Sequence, residues 1–246
     1  MRVAVVVFPG SNCEHDAVHA LSCLGAAAEL VWHHQRSLDG FDAVVIPGGF
    51  AHGDYLRPGA IARFSPVMDA VCAAAREGLP VLGICNGFQV LTEAHLLPGA
   101  LQPNVARRFI CDNVPCEVVS TSSALTGLAR SGERLTLPIN HYEGNYTCSP
   151  ETLRLLEEGD RIPLRYVTNP NGSMGSVAAV ANTEGNVVGL MPHPERACDL
   201  LSGLTDGRVL LESFVDATKR RATSSGHAAL VSSGCQHGAE PVHLTA

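Results

Sequence analysis

The sequence predicts an α/β fold, a mostly parallel sheet with helices on both faces. Three observations predict it. Runs such as residues 3–8 ("VAVVVF") are apolar and β-branched without polar alternation, as expected of strands buried on both faces. Through the first hundred residues these runs alternate with helical patterns, which implies right-handed crossovers. Several runs stop at Gly- and Pro-rich loops, and open parallel sheets bind ligands beyond the carboxyl ends of their strands.

The elements follow in order. After the strand at 3–8, "PGSNCEHDAVHALSCLG" reads as a loop and a helix, with Ser11 and Glu14 spaced as a capping box and Gly25 at the helix end. "AELVW" (28–32) and "FDAVVIPGG" (41–49) are the second and third strands. "PVMDAVCAAAREG" (66–78) is a helix. "PVLGI" (80–84) is the fourth strand and "NGFQVLTEAH" (86–95) its helix. The second half is more irregular, with strand-like pieces at 108–119, 134–139 and 162–168. Residues 176–191 read as a hairpin about Thr183-Glu184-Gly185, and 206–221 as a last amphipathic helix. One domain is expected over 1–221, followed by a disordered tail at 222–246, where small and polar residues prevail without periodicity.

Composition excludes several classes. The 246 residues are 46% hydrophobic with a net charge of −7, which supports a sizeable core and disfavours a broad nucleic-acid surface. No apolar run approaches the roughly 20 residues of a membrane helix, and the start lacks a signal-peptide pattern. A soluble cytoplasmic chain is expected. Nine cysteines with no Cys-x-x-Cys do not suggest a disulfide scaffold at this length, and most are expected to be small core residues.

One cysteine has a distinctive frame. In "PVLGICNGFQV" Cys85 lies between Gly83 and Gly87, where a strand turns into a helix. Such a turn brings the residues two before and two after it together, so glycine is needed at both, and it pushes the central side chain into the open as in a nucleophile elbow. The helix N-terminus also favours a thiolate. Taken alone, the pattern fits a packed cysteine in a Gly-rich turn equally well. A nucleophile needs a base, and "MPHPER" (191–196) offers His193 with Glu195 as its orienter. The flanking prolines favour extended backbone, which projects alternate side chains to one side. Taken alone, this too fits a solvated polar loop. An oxyanion would need backbone N–H groups, for which Asn86 and the Gly48-Gly49 turn are candidates; Pro47-Gly48-Gly49 also fits an ordinary strand-ending turn.

"PGG", "GICNGFQ" and "HPE" in this order resemble the class I (triad) glutamine amidotransferases. "FPGSNCEHD", "IPGGFAHGDYLRPGAIARF", "LPVLGICNGFQVL", "LLPGAL", "EGNY" and "MPHPERA" narrow the resemblance to the glutaminase subunits of bacterial phosphoribosylformylglycinamidine synthase, across roughly residues 2–221. The resemblance implies a flavodoxin-like class I amidotransferase fold. It implies hydrolysis of L-glutamine by Cys85 as nucleophile, His193 as base and Glu195 as orienter. Gly48, Gly49, Asn86 and Gln89 would bind substrate, and residues 138–146 would meet its α-amino and α-carboxylate groups, although Tyr142 stands where many relatives carry glycine. Ammonia would pass to a large synthetase subunit that uses ATP and Mg, with a small bridging subunit between them. No cofactor or metal is implied in this chain. An independent cysteine hydrolase on a related fold is the alternative; it would need neither Gln89 nor the His-Pro-Glu sequence.

Other patterns carry less. Pro9-Gly10-Ser11-Asn12 lacks a phosphate-loop or dinucleotide fingerprint. His15 and His19 are spaced four apart on a predicted helix, as a metal pair would be, yet no third ligand lies at suitable spacing and a solvated face is expected. His33, His34 and His52 are also expected at the surface. Asp54, Tyr55 and Arg57, in a Gly-rich loop beside the proposed site, are expected to meet glutamine or a partner.

Overall fold

The computed structural model describes residues 1–200 and 203–233, with backbone alone for 224–233. Its centre is a six-stranded sheet in the order β10-β11-β4-β3-β1-β2. The strands are β1 (Arg2–Val7), β2 (Ala27–Trp32), β3 (Ala43–Ile46), β4 (Val81–Ile84), β10 (Ala179–Ala181) and β11 (Val187–Leu190). All neighbours are parallel except β10, which pairs antiparallel with β11. The β-branched runs explain the middle of the sheet. Every residue of β3, β4 and β11 is buried, so both faces are covered. The four residues Val3 to Val6 are fully buried, and each valine removed from water contributes about 1.5–3 kcal/mol.

The helices are α1 (Glu14–Cys23), α2 (Pro66–Arg76), α3 (Asn86–Glu93), α4 (Pro150–Glu158) and α5 (Arg208–Ser233). A three-stranded antiparallel sheet, β7-β6-β9, joins β7 (Arg134–His141), β6 (Ile110–Val118) and β9 (Leu164–Tyr166). A short pair couples β5 (Ala100–Gln102) to β8 (Asn145–Thr147). The predicted hairpin is present, with Asn182 and Asn186 closing the turn between β10 and β11.

Three expectations need correction. The capping box at Ser11 and Glu14 does not form, because α1 begins at Glu14 with Cys13 as N-cap and no side-chain cap. Ser11 Oγ instead accepts from the Phe8 N–H at 3.0 Å. The loop is drawn onto the Gly48 turn, where the Asn12 and Cys13 N–H groups donate to the Gly48 carbonyl at 3.4 and 3.3 Å. His33 is buried rather than at the surface, its Nδ1 3.1 Å from Ser65 Oγ and its ring edge-on to Trp32 and His52. Helix α4 goes unpredicted, although Ser149 caps it through the Thr152 N–H and Pro150 opens it. Helix α5 is described through Ser233, and the rest of the predicted tail, 234–246, lies outside the described residues.

Candidate active site

The carboxyl end of β4 leads directly into the elbow. Cys85 has φ 51° and ψ −104°, a left-handed backbone that costs energy in a residue with a side chain. The surroundings enforce it. An added Cβ at Gly83 would lie 2.6 Å from the Gly87 carbonyl oxygen, and one at Gly87 would collide with the Ile46 carbonyl. The two glycines therefore let the strand, the helix and the neighbouring strand β3 approach closely. The Asn86 N–H then opens α3 with no residue of its own helix to donate to, which suits it to a developing anion.

The sequence-predicted residues converge here. β11 runs beside β4, with Leu190 opposite Ile84, so the turn after it carries His193 to the same end of the sheet. The His193 N–H donates to the Pro138 carbonyl at 2.8 Å, fixing that turn against β7. His193 Nδ1 lies 2.6 Å from Glu195 Oε1, so the ring donates to the carboxylate, and both side chains are 1% exposed. Among the described residues, His193 Nε2 has no hydrogen-bond partner. Gly48 stands between His193 and Cys85. A Cβ there would lie 2.8 Å from His193 Cε1 and 3.5 Å from Cys85 Cβ. Burial opposes charge on the imidazole, but Glu195, followed by Cys85 and Cys13, holds its pKa well above the usual value. The arrangement therefore favours a protonated imidazole at the elbow.

Gly49, at φ 146°, packs against the loop after β1, where a Cβ would lie 2.7 Å from Ser11 Cα. Asn86 and Gln89 are buried and linked. Asn86 Nδ2 donates to Gln89 Oε1 at 2.8 Å and to Asp54 Oδ1 at 3.1 Å, while Asn86 Oδ1 accepts from the Ala51 N–H. Gln89 Nε2 donates to the Glu143 carbonyl at 2.6 Å. Gln89 thus ties α3 to the 142–144 turn and keeps one N–H for a ligand. Burial, then the Glu143 carboxylate, raises the Asp54 pKa to about 6. Arg57 does not reach the pocket; it forms a forked pair with Glu93 at 2.6 and 2.7 Å. Tyr55 and Leu56 point outward, 74% and 89% exposed.

Several residues at the site carry no sequence signal. Cys13 is buried beside His193 and Glu195, and accepts from Arg196 Nη2 at 3.2 Å. Asn104 and His141 sit under the turn at 142–144 that joins β7 to β8. Asn104 Oδ1 accepts from the Gly144 N–H at 3.1 Å and lies 3.1 Å from His141 Nδ1. Burial, then His193, lowers the His141 pKa to about 4, so this second imidazole is neutral. Only the fold brings these pairs together, since 37 residues separate Asn104 from His141 and 183 separate Cys13 from Arg196. A cleft of about 600 Å³ between Gly78, His95 and Glu184 lies at the amino end of β4 and shares no residue with this site.

A family model described as the CobB/CobQ-like glutamine amidotransferase domain matches residues 1–204. The chain is 56% identical to the phosphoribosylformylglycinamidine synthase subunit PurQ of Rubrobacter xylanophilus over 219 residues, covering 89% of this chain and all of the relative. The chain belongs to the PurQ family of glutamine amidotransferases. Its similarity to PurQ of Parasynechococcus marenigrum is 54% identity over 216 residues, covering 87% of the chain and all of the relative. Among solved structures it is similar to a chain of PurLQS from Thermotoga maritima. The TM-score is 0.82 at 41% identity, over 87% of this chain and 97% of that one.

Proposed function

We propose that the chain is the glutaminase subunit of phosphoribosylformylglycinamidine synthase. It hydrolyses L-glutamine to glutamate and ammonia. A large synthetase subunit then consumes the ammonia, with ATP and Mg²⁺, to convert formylglycinamide ribonucleotide to phosphoribosylformylglycinamidine in purine biosynthesis. A small third subunit bridges the two, and the complex works in the cytoplasm. The chain needs no cofactor of its own. The PurQ relatives and the similarity to a PurLQS chain support this assignment. Among the described residues no helix is long and apolar enough to cross a membrane.

The observation that carries the chemistry is the buried His193–Glu195 pair at 2.6 Å beside an elbow cysteine. In the proposed mechanism the Cys85 thiolate attacks the side-chain carbonyl of glutamine. Negative charge moves to the carbonyl oxygen, where the Asn86 and Gly49 N–H groups stabilise it. The tetrahedral intermediate collapses as the His193 imidazolium protonates the leaving nitrogen, releasing ammonia and a γ-glutamyl thioester on Cys85. Neutral His193 then takes a proton from water, whose oxygen attacks the thioester. Collapse frees glutamate and restores the thiolate–imidazolium pair. Glu195 holds the ring in the donating tautomer and stabilises its charge. Gln89 and the 142–144 turn hold the amino-acid end.

Glutamate release, measured with and without the synthetase, its small partner and their acceptor substrate, tests the assignment. The wild-type chain alone should be slow, because ammonia made without an acceptor is lost, and the complete complex should accelerate it. A lone chain that already runs at the full rate of the complex, or a complex that ignores glutamine, would contradict the proposal.

A further inference from the structure

Helix α1 carries two metal-ligating side chains one turn apart, His19 and Cys23, on its exposed face. The fold supplies a third donor that the sequence spacing hides. The segment after the His-Pro-Glu turn brings Asp199 across 180 residues to His19, with Asp199 Oδ2 3.2 Å from His19 Nε2. Cys23 Sγ lies 3.7 Å from the same nitrogen, and the three ligand atoms fall within 4.8 Å of one another. In a tetrahedral zinc site, metal–ligand distances of about 2.0–2.1 Å to N, 2.0–2.2 Å to O and 2.3 Å to S give N···O edges of roughly 3.4 Å and N···S edges of roughly 3.6 Å. The two distances in the chain already match those edges.

We propose that His19, Cys23 and Asp199 form a surface site for a thiophilic divalent cation of the zinc type. The donor set suits such an ion. A neutral imidazole, a thiolate and a carboxylate supply two negative charges to offset the metal's two positive ones, and a mixed N/S/O set disfavours magnesium and calcium. Binding replaces the Cys23 proton, which leaves to solvent. His19 is 62% exposed on its side chain, so ions can enter, and water fills the fourth vertex. The site joins α1 to the segment that follows the catalytic turn. That connection already has one tie, the Arg196–Asp16 ion pair at 2.9 Å, and the backbone of Asp199 is held by a bridge to Leu204. A bound ion adds a second clamp four residues after Glu195. It stiffens the support of the base without touching the reacting atoms.

Cobalt(II) titration of the full-length Cys85→Ser chain tests this, because a thiolate ligand gives a strong charge-transfer absorption and the nucleophile is removed as a competing ligand. One cobalt per chain should bind with that absorption, and zinc should displace it. His19→Ala and Cys23→Ser should each weaken binding at least about 100-fold, since losing even an outer-sphere partner typically costs 10- to 100-fold. His15→Ala should leave binding unchanged. In the otherwise wild-type chain, zinc should raise the Tm, and His19→Ala should remove the rise while retaining glutamine hydrolysis. Absence of the thiolate absorption, or its retention in either the His19 or the Cys23 variant, would overturn the proposal. So would its loss in Cys13→Ser, which would move the ion to the donor set of Cys13, His193 and Glu195.

Discussion

Gly48 has room for no side chain between the two halves of the proposed chemistry. A methyl there would press on His193 Cε1 at 2.8 Å and on Cys13 Sγ at 3.0 Å. Gly48→Ala should therefore displace the imidazole and lower kcat while the fold survives, which circular dichroism alongside glutaminase rates would check. His193→Asn should cost far more activity than Glu195→Gln. A general base typically contributes 10²–10⁴-fold, whereas the carboxylate acts only through the ring. Equal and negligible losses in kcat would contradict the assigned roles. His141 makes a different prediction. Its folded pKa of about 4 lies below the ordinary 6.5, so the unfolded chain binds more protons between those values and stability falls as pH drops through that window. The gap corresponds to about 3 kcal/mol. His141→Gln, which can still pair with Asn104, should flatten the loss of Tm between pH 6.5 and 4; an unchanged acid profile would contradict it. Cys85, His193 and Glu195 were legible because each sits in a local pattern of glycine or proline that fixes its backbone. His141, Asn104, Cys13 and Arg196 were not, because their partners arrive only through long-range packing.

The elements around the elbow are held by polar ties whose strength depends on pH. Asn86 links the strained loop, where His52, Asp54 and Leu56 all have positive φ, to Gln89 on α3. Asp54 sits half-buried in that loop facing Glu143, and its raised pKa of about 6 means the native state holds a proton that the unfolded chain releases near pH 4. Stability from this group is therefore greatest below the ordinary carboxyl pKa and is lost as pH rises through about 6. Asp54→Asn should raise the Tm at pH 8 relative to wild type, and the gain should vanish near pH 4; a constant difference across pH would contradict it. The sequence made the parallel strands readable because unbroken β-branched runs mark strands buried on both faces. Helix α4 was readable too in principle, since Ser149 and Pro150 mark its start, but it bears only one fully buried leucine, Leu156, and most of its residues are polar or charged. The failed capping box has the opposite cause. Ser11 and Glu14 had the right spacing, yet tertiary bonds to the Gly48 turn took precedence over a local cap.

At the scale of the whole molecule, strand order decides where chemistry can occur. Placing β4 between β3 and β11 sets the Pro-Gly-Gly turn, the Cys85 elbow and the His-Pro-Glu turn at one end of three adjacent strands. These segments lie up to about 150 residues apart in sequence, and the α/β alternation predicted the sheet without giving the neighbours of each strand. The loop with exposed Tyr55 and Leu56 rises at the same end, so contact with a synthetase surface could reach the Gly49 amide through Phe50, whose N–H donates to the Gly10 carbonyl at 2.9 Å. Leu56→Asp should then reduce the acceleration of glutamate release by the synthetase while leaving the slow rate of the lone chain intact; loss of both rates together would contradict a coupling role. In the proposed mechanism Cys85 carries the glutamyl group. Acid-quenching the full chain during turnover of isotope-labelled glutamine and mapping the label by mass spectrometry tests this. A γ-glutamyl thioester should appear on the Cys85 peptide alone and be absent in Cys85→Ala. Label on another cysteine, or glutamate release that persists in Cys85→Ala, would contradict it.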